Sequence, residues 1–150
     1  MSKMIAAIGA LAACLAVPAA TQERANGRAT IHIESNFNIF TGSPNHWEST
    51  GAFADEGFID TANVQHGGTG AADHVNGPMV GQEGTINIKF VKAFRQKLNA
   101  GVVTNQGQWQ IVSGTGVYEG MTGEGTLRGT IDLVSGALHD EFDGDVVLSE

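Results

Sequence analysis

The sequence predicts an all-β fold, a single closed antiparallel barrel of about eight strands with little helix after an N-terminal signal segment. Three observations point there. Apolar and polar residues alternate with period two in several windows, and no window after the first twenty residues carries an apolar stripe of helical period. Twenty-one glycines punctuate those windows, so the elements are many and short. The single cysteine lies inside the signal segment, so no disulfide staples an open sheet, and closure is the economical way to hide two edges.

Residues 1–20, MSKMIAAIGALAACLAVPAA, read as a secretory signal. Lys3 supplies a minimal basic start, Ile5 to Val17 an apolar run, and Val17-Pro18-Ala19 a small-residue cleavage site, with cleavage expected after Ala19 or Ala20. The run is short for a membrane span. The LAAC ending at Cys14 resembles a bacterial lipoprotein acylation box, but the apolar run continues through Leu15, Ala16 and Val17, which favours plain cleavage. The expectation is therefore a secreted or periplasmic protein, with a polar leader over 21–28 and a barrel domain over 29–150. One domain of this length buries a single core. A net charge of −8 argues against nucleic acid or an anionic membrane surface as partner. An apolar content of 41% excludes a disordered chain.

In ATIHIESNFNIF, Ile31, Ile33, Phe37 and Ile39 form one face and His32, Glu34, Asn36 and Asn38 the other, which predicts the first strand. TGSPNH is a turn cluster. GAFADEGFIDTANV supplies one or two shorter strands through Phe53, Phe58, Ile59 and Val64. Residues 65–84 are glycine-rich and poor in apolar side chains, and read as a loop or mobile flap. Alternation resumes in GTINIKFVKAF; the following VKAFRQKLNAG either continues that strand or makes a helical turn or two. GQWQIVSG, GTLRGTIDLVSG and ALHDEFDGDVVL are three more strands.

The stretch WQIVSGTGVYEGMTGEGTLRG, residues 109–129, is either a phosphate-cradling loop or a corner between strands. A dinucleotide loop needs G-x-G-x-x-G ahead of a helix. Gly114 and Gly116 fit, but the third position is Glu119, whose charge repels a pyrophosphate, and a strand pattern follows. No Gly-Lys-Ser or Gly-Lys-Thr ending is present either. The stretch reads as a β corner.

Its pattern, an aromatic-led strand followed by G-T-G-x-aromatic-x-G-x-x-G-x-G, resembles the corner of the allene oxide cyclase and dirigent group of eight-stranded barrels, with Tyr118-Glu119-Gly120 at an aromatic-Glu-Gly step. A second likeness lies in Glu34-Ser35-Asn36 followed by Gly42-Ser43-Pro44, where the cyclases carry Glu-x-Asn and then Gly-Ser-Pro. The resemblance implies a cofactor-free isomerase or cyclase acting on a small apolar molecule inside the barrel. It implies Glu34 and Asn36 as catalytic cavity residues, the Asn holding a water and the Glu steering charge, with Pro44 near the ligand. It also implies a homo-oligomer, a trimer or dimer. The family's cavity cysteine has no counterpart here. Periodicity sets a competing reading beside this one: if Ile31, Ile33 and Phe37 fill the barrel, Glu34 and Asn36 face solvent unless a bulge or a covering subunit reverses the strand.

Other constellations read as ordinary polarity. His46, His66, His74 and Asp73 match no metal-ligand spacing, and no metal is expected. Asp140, Glu141, Asp143 and Asp145 lack the twelve-residue calcium loop and read as the wet face of a strand. Ser113 and Ser135 stand in no nucleophile elbow. Asp55 and Glu56 are adjacent and point to opposite sides of a strand, unlike paired glycosidase carboxylates. Most aromatics should be core. Phe53, Trp109 and Tyr118 are the candidates to line a ligand pocket, since a barrel of this size holds side chains or one small ligand. Two further functions compete with the cyclase: a non-catalytic dirigent-like or lipocalin-like binder of a small apolar ligand, and a packed structural or interaction barrel.

Overall fold

The computed structural model describes residues 28–68, 72–96 and 101–149. The expected signal segment, with its Cys14, and the leader up to Asn26-Gly27 lie outside the described residues; Arg28 already belongs to the first strand. Nine strands follow: β1 (Arg28–Asn38), β2 (Asn45–Gly51), β3 (Asp55–Ile59), β4 (Gln65–Gly67), β5 (Ala72–Gly81), β6 (Thr85–Gln96), β7 (Val102–Gly114), β8 (Thr122–Asp132) and β9 (Ala137–Val147). The sheet runs β3-β2-β1-β9-β8-β7-β6-β5, antiparallel throughout, and closes because β3 pairs with β5 through Gly57–Gly81, Phe58–Val80 and Ile59–Met79. The result is a closed eight-stranded barrel. β4 is an extra strand that continues along the same edge of β5, opposite His74 to Asn76.

Two local expectations are corrected. Residues 65–84 hold β4 and β5 rather than a loop, and β5 is the strand that closes the barrel. Its inner face reads Val75, Gly77, Met79, Gly81, so glycine thins the apolar pattern to two side chains. Where β3 meets β5, glycine is a steric requirement on both strands. A Cβ on Gly57 would lie 1.8 Å from the Val80 carbonyl oxygen, and one on Gly81 would lie 2.1 Å from Asp55 Oδ2. Of the two alternatives for the next segment the strand holds, since Val91 to Gln96 continue β6. The first residues of β2, expected within a turn cluster, pair with Asn36 and Phe37 of β1.

The corner after β7 is confirmed as a corner. A short 3-10 turn, Gly116–Tyr118, joins β7 to β8, with Gly116 and Gly120 at φ +63° and +74°, a region that favours glycine. A strand follows, and no helix offers its N-terminus to a phosphate.

Inward side chains fill one end of the barrel. Trp47, Trp109, Tyr118, Ile31, Ile33, Ile86, Ile111, Leu127 and Val146 are buried there, and Phe142 meets Trp109 edge-on at 6.5 Å. The end is sealed by Asp55, which does point inward while Glu56 points out. Tyr118 Oη donates to Asp55 Oδ2 at 2.6 Å, the Glu56 and Gln82 amides donate to Oδ1 at 2.8 and 2.9 Å, and the Glu83 amide donates to Oδ2 at 3.3 Å. Burial pushes the Asp55 carboxyl up, but the bonds from Tyr118 and the three amides outweigh it and hold the group below its ordinary range. The Tyr118 phenol is pushed up by burial and by the same carboxylate.

Removing the phenolic hydroxyl in Tyr118→Phe should destabilise the barrel by about 1.5–3 kcal/mol, the usual worth of a hydrogen bond to a charged group. Because the Asp55 pKa is depressed on folding, its contribution is present above the ordinary value of 3.8 and lost as the pH falls through the folded value. Urea unfolding of the two proteins should therefore show their stability difference shrinking below that pH.

Candidate ligand-binding cavity

The other end of the barrel is not filled. A cavity of about 360 Å³ opens between Phe37 and Ser35 of β1, Ile59 of β3, Val75 and Met79 of β5, Ile88 and Phe90 of β6, Ile131 of β8 and Leu138 and Phe142 of β9. Ile39, Thr61, Val64 and His66, from the β1–β2 and β3–β5 connections, stand around its mouth. Gly77 on β5 makes room for that rim, since a Cβ there would meet Val64 Cγ2 at 2.8 Å. The walls are almost wholly apolar, in the size range of small-molecule sites.

One layer of the wall is charged. Lys92 continues the inward series Ile86, Ile88, Phe90, and Asp140 the series Val146, Gly144, Phe142. Both line the cavity, with side chains only 6% and 5% exposed, and the Lys92 ammonium donates to Asp140 Oδ2. The same ammonium stands 5.0 Å from the centroid of the Phe90 ring. Asn105 of β7 donates through Nδ2 to Asp140 Oδ1 over a long 3.5 Å. Between them lies Gly129 of β8, which faces both Asp140 and Asn105 in the ladder. A Cβ at Gly129 would sit 1.9 Å from Asp140 Oδ1 and 3.0 Å from Asn105 Nδ2, so glycine is what lets the two side chains meet. Ser35 is directly opposite Asp140 in the β1–β9 ladder and also faces the cavity.

The sequence-predicted site residues lie elsewhere. Glu34 and Asn36 are on the outer face, because β1 runs without a bulge and its odd-numbered residues fill the lumen. Glu34, its side chain 40% exposed, meets His32 Nε2 at 3.2 Å, and Asn36 Oδ1 meets His139 Nδ1 at 2.9 Å. They belong to a surface ladder in which His32 Nδ1 meets Asp143 at 2.6 Å and Arg128 bridges Asp143 and Glu141 at 3.1 and 3.4 Å. Trp109 and Tyr118 are packed into the filled end, where the Trp109 indole donates to the Asp143 carbonyl at 3.2 Å. Phe53 packs on Tyr118 at a tilt, ring centroids 4.8 Å apart, at that same end. Pro44 is exposed in the β1–β2 turn and does not line the cavity.

The pair that sequence reasoning missed carries a legible signal. Asp140 shares its parity with Phe142 and Val146, so it is not on the wet face with Glu141, Asp143 and Asp145. Lys92 shares its parity with Ile88 and Phe90. Comparison with protein-family models, with curated proteins and with solved structures gives no match for this chain.

Two outcomes are expected. Lys92→Met strands a buried carboxylate and should lower stability by about 3–5 kcal/mol, whereas Lys92→Met with Asp140→Leu, which replaces the pair by apolar bulk, should recover most of that loss in urea unfolding. His32 is held above its ordinary 6.5 chiefly by its bond to Asp143, against a smaller lowering by burial. Its contribution is thus complete below 6.5 and fades as the pH rises through the folded value. For so exposed a pair it amounts to a few tenths of a kcal/mol, so the small Tm advantage over His32→Gln at pH 6 should disappear by about pH 8.5.

Proposed function

We propose that this chain is a binding barrel, exported from the cytoplasm, that holds one small apolar molecule in its open end. The cavity carries the reading. Inward positions at one end hold tryptophan, tyrosine and isoleucine and leave no room. At the other end the inward series of β1 drops to Ser35, where a larger side chain would fill the space, and the cavity opens there. An apolar volume of this kind offers a ligand the desolvation that drives binding in pockets. At ~30 Å³ of liquid volume per water-sized group, about 360 Å³ accommodates about a dozen non-hydrogen atoms.

Cofactor-free isomerisation, the activity implied by the allene oxide cyclase-like corner, is the second reading. The Lys92–Asp140 pair favours it, since an acid and a base in apolar surroundings are the groups such chemistry would use. In that case they, and not Glu34 and Asn36, would contact the substrate.

Compounds of eight to twelve carbons should raise the Tm in proportion to occupancy, with dissociation constants on the order of micromolar. Val75→Phe or Leu138→Phe, each projecting a ring into the cavity, should abolish that shift while the protein stays folded. Chromatography of the recovered ligand separates the readings: unchanged ligand supports a binder, and a new isomer supports the enzyme. Failure of every such compound to shift the Tm would leave a barrel that works through its surface.

A further inference from the structure

Resting on the proposal that the cavity binds a small molecule, we infer that its ligand is a neutral molecule bearing one hydroxyl or carbonyl group, which docks on Lys92, Asp140 and Ser35. The three polar groups form a single layer of the lumen. Along β9 it lies between Phe142 and Leu138, along β1 between Ile33 and Phe37, and along β6 it follows Phe90. All three residues line the cavity. Of the other lining residues Thr61 and His66 are polar, and both are exposed at the mouth, so a polar ligand atom deeper in the barrel meets this layer.

Hydrogen-bonding capacity in this layer is left over. The Lys92 ammonium has three N–H donors, of which Asp140 accepts one. The Asp140 carboxylate takes Lys92 on one oxygen and the long Asn105 contact on the other, fewer bonds than its lone pairs accept. Ser35, 2% exposed, brings a hydroxyl to the same layer from β1. Just behind the layer, Asn105 Oδ1 is buried with no partner among the described residues. Turning the amide over would press that oxygen against the Asp140 carboxylate, so the donor-to-Asp140 orientation stands.

The charge sum selects the head group. Lys92 and Asp140 cancel, so the layer is dipolar and neutral. A carboxylate would bring an uncompensated negative charge into an apolar lumen beside Asp140, and an amine an uncompensated positive charge beside Lys92; both pay desolvation without a counter-charge. A hydroxyl accepts from Lys92 and donates to Asp140 or Ser35, and a carbonyl oxygen accepts from Lys92 and Ser35 together. Either uses the spare capacity without adding charge.

Isothermal titration of the full barrel with 1-octanol, 2-octanone and octanoate at pH 7 tests this. The alcohol and ketone should bind at least tenfold more tightly than octanoate. In the Lys92→Met, Asp140→Leu double variant, chosen because it leaves no buried charge unpaired, they should weaken at least tenfold. Octanoate binding as tightly as the alcohol, or a double variant that binds the alcohol as well as the wild type, would overturn the head-group inference and leave the cavity reading intact. Binding of none of the three to the wild-type barrel, with Tm unmoved by the apolar series as well, would overturn the cavity reading itself.

Discussion

Closure between β3 and β5 is the constraint on which the rest of the barrel depends. Only three residue pairs make the seam, and two of the six residues are glycines: Gly57 lets the backbones approach, and Gly81 leaves room for the Asp55 carboxylate and the Trp47 ring. Such a seam is weak by itself, and it is reinforced from the side. The Trp47 indole donates to the Val80 carbonyl at 3.2 Å, and Asp55 at the head of β3 collects the Gln82 and Glu83 amides just beyond β5. Tyr118, carried in by the corner after β7, completes that carboxylate's bonding and so links the seam to the far side of the sheet. Unpairing it would expose two sheet edges and open the lumen to water.

Once the sheet is closed, the size of the inward side chains decides where space remains. Along β1 the lumen series falls from Ile31 and Ile33 to Ser35 before rising at Phe37; along β8, Leu127 gives way to Gly129. Tryptophans sit only on the side of these steps nearer the Asp55 seal. The cavity is thus a consequence of side-chain volume, written into alternate positions of several strands. No single loop creates it, although the segment between β3 and β5 supplies its rim.

Much of this was legible in the sequence. Period-two alternation located most of the strands, and the absence of cysteine from the predicted domain correctly favoured closure. The parity of Ile31, Ile33 and Phe37 also foretold that Glu34 and Asn36 would face outward, against the cyclase-like motif that placed them inside. What stayed hidden did so for a physical reason. β5 hides because its inner positions alternate between apolar residues and glycine, so composition reads it as loop while steric demand makes it strand. Trp109 and Tyr118 were misplaced because an aromatic residue suits a packed end and a pocket wall equally; the choice depends on which end the neighbouring strands fill. The buried ion pair required joining β6 to β9 across two intervening strands, which no local window reports, though parity alone would have put each partner inside.

That pair also bears on how a lumen of this size would discriminate. A wholly apolar cavity sorts ligands by fit, and one methylene more or less changes binding by only about 1–3 kcal/mol. A buried polar group that a wrong ligand leaves unpaired, or a charge that it adds, discriminates much more strongly. Relative to apolar residues of similar volume, a buried ion pair often contributes nothing to stability or detracts from it. Here Gly129 leaves the space for Asp140 and Asn105 to meet, and the pair sits where the wall would otherwise be continuous with Phe90, Phe142 and Leu138. Stability therefore gives little reason for charge at this layer, whereas recognition of a polar atom on an otherwise apolar guest gives a direct one.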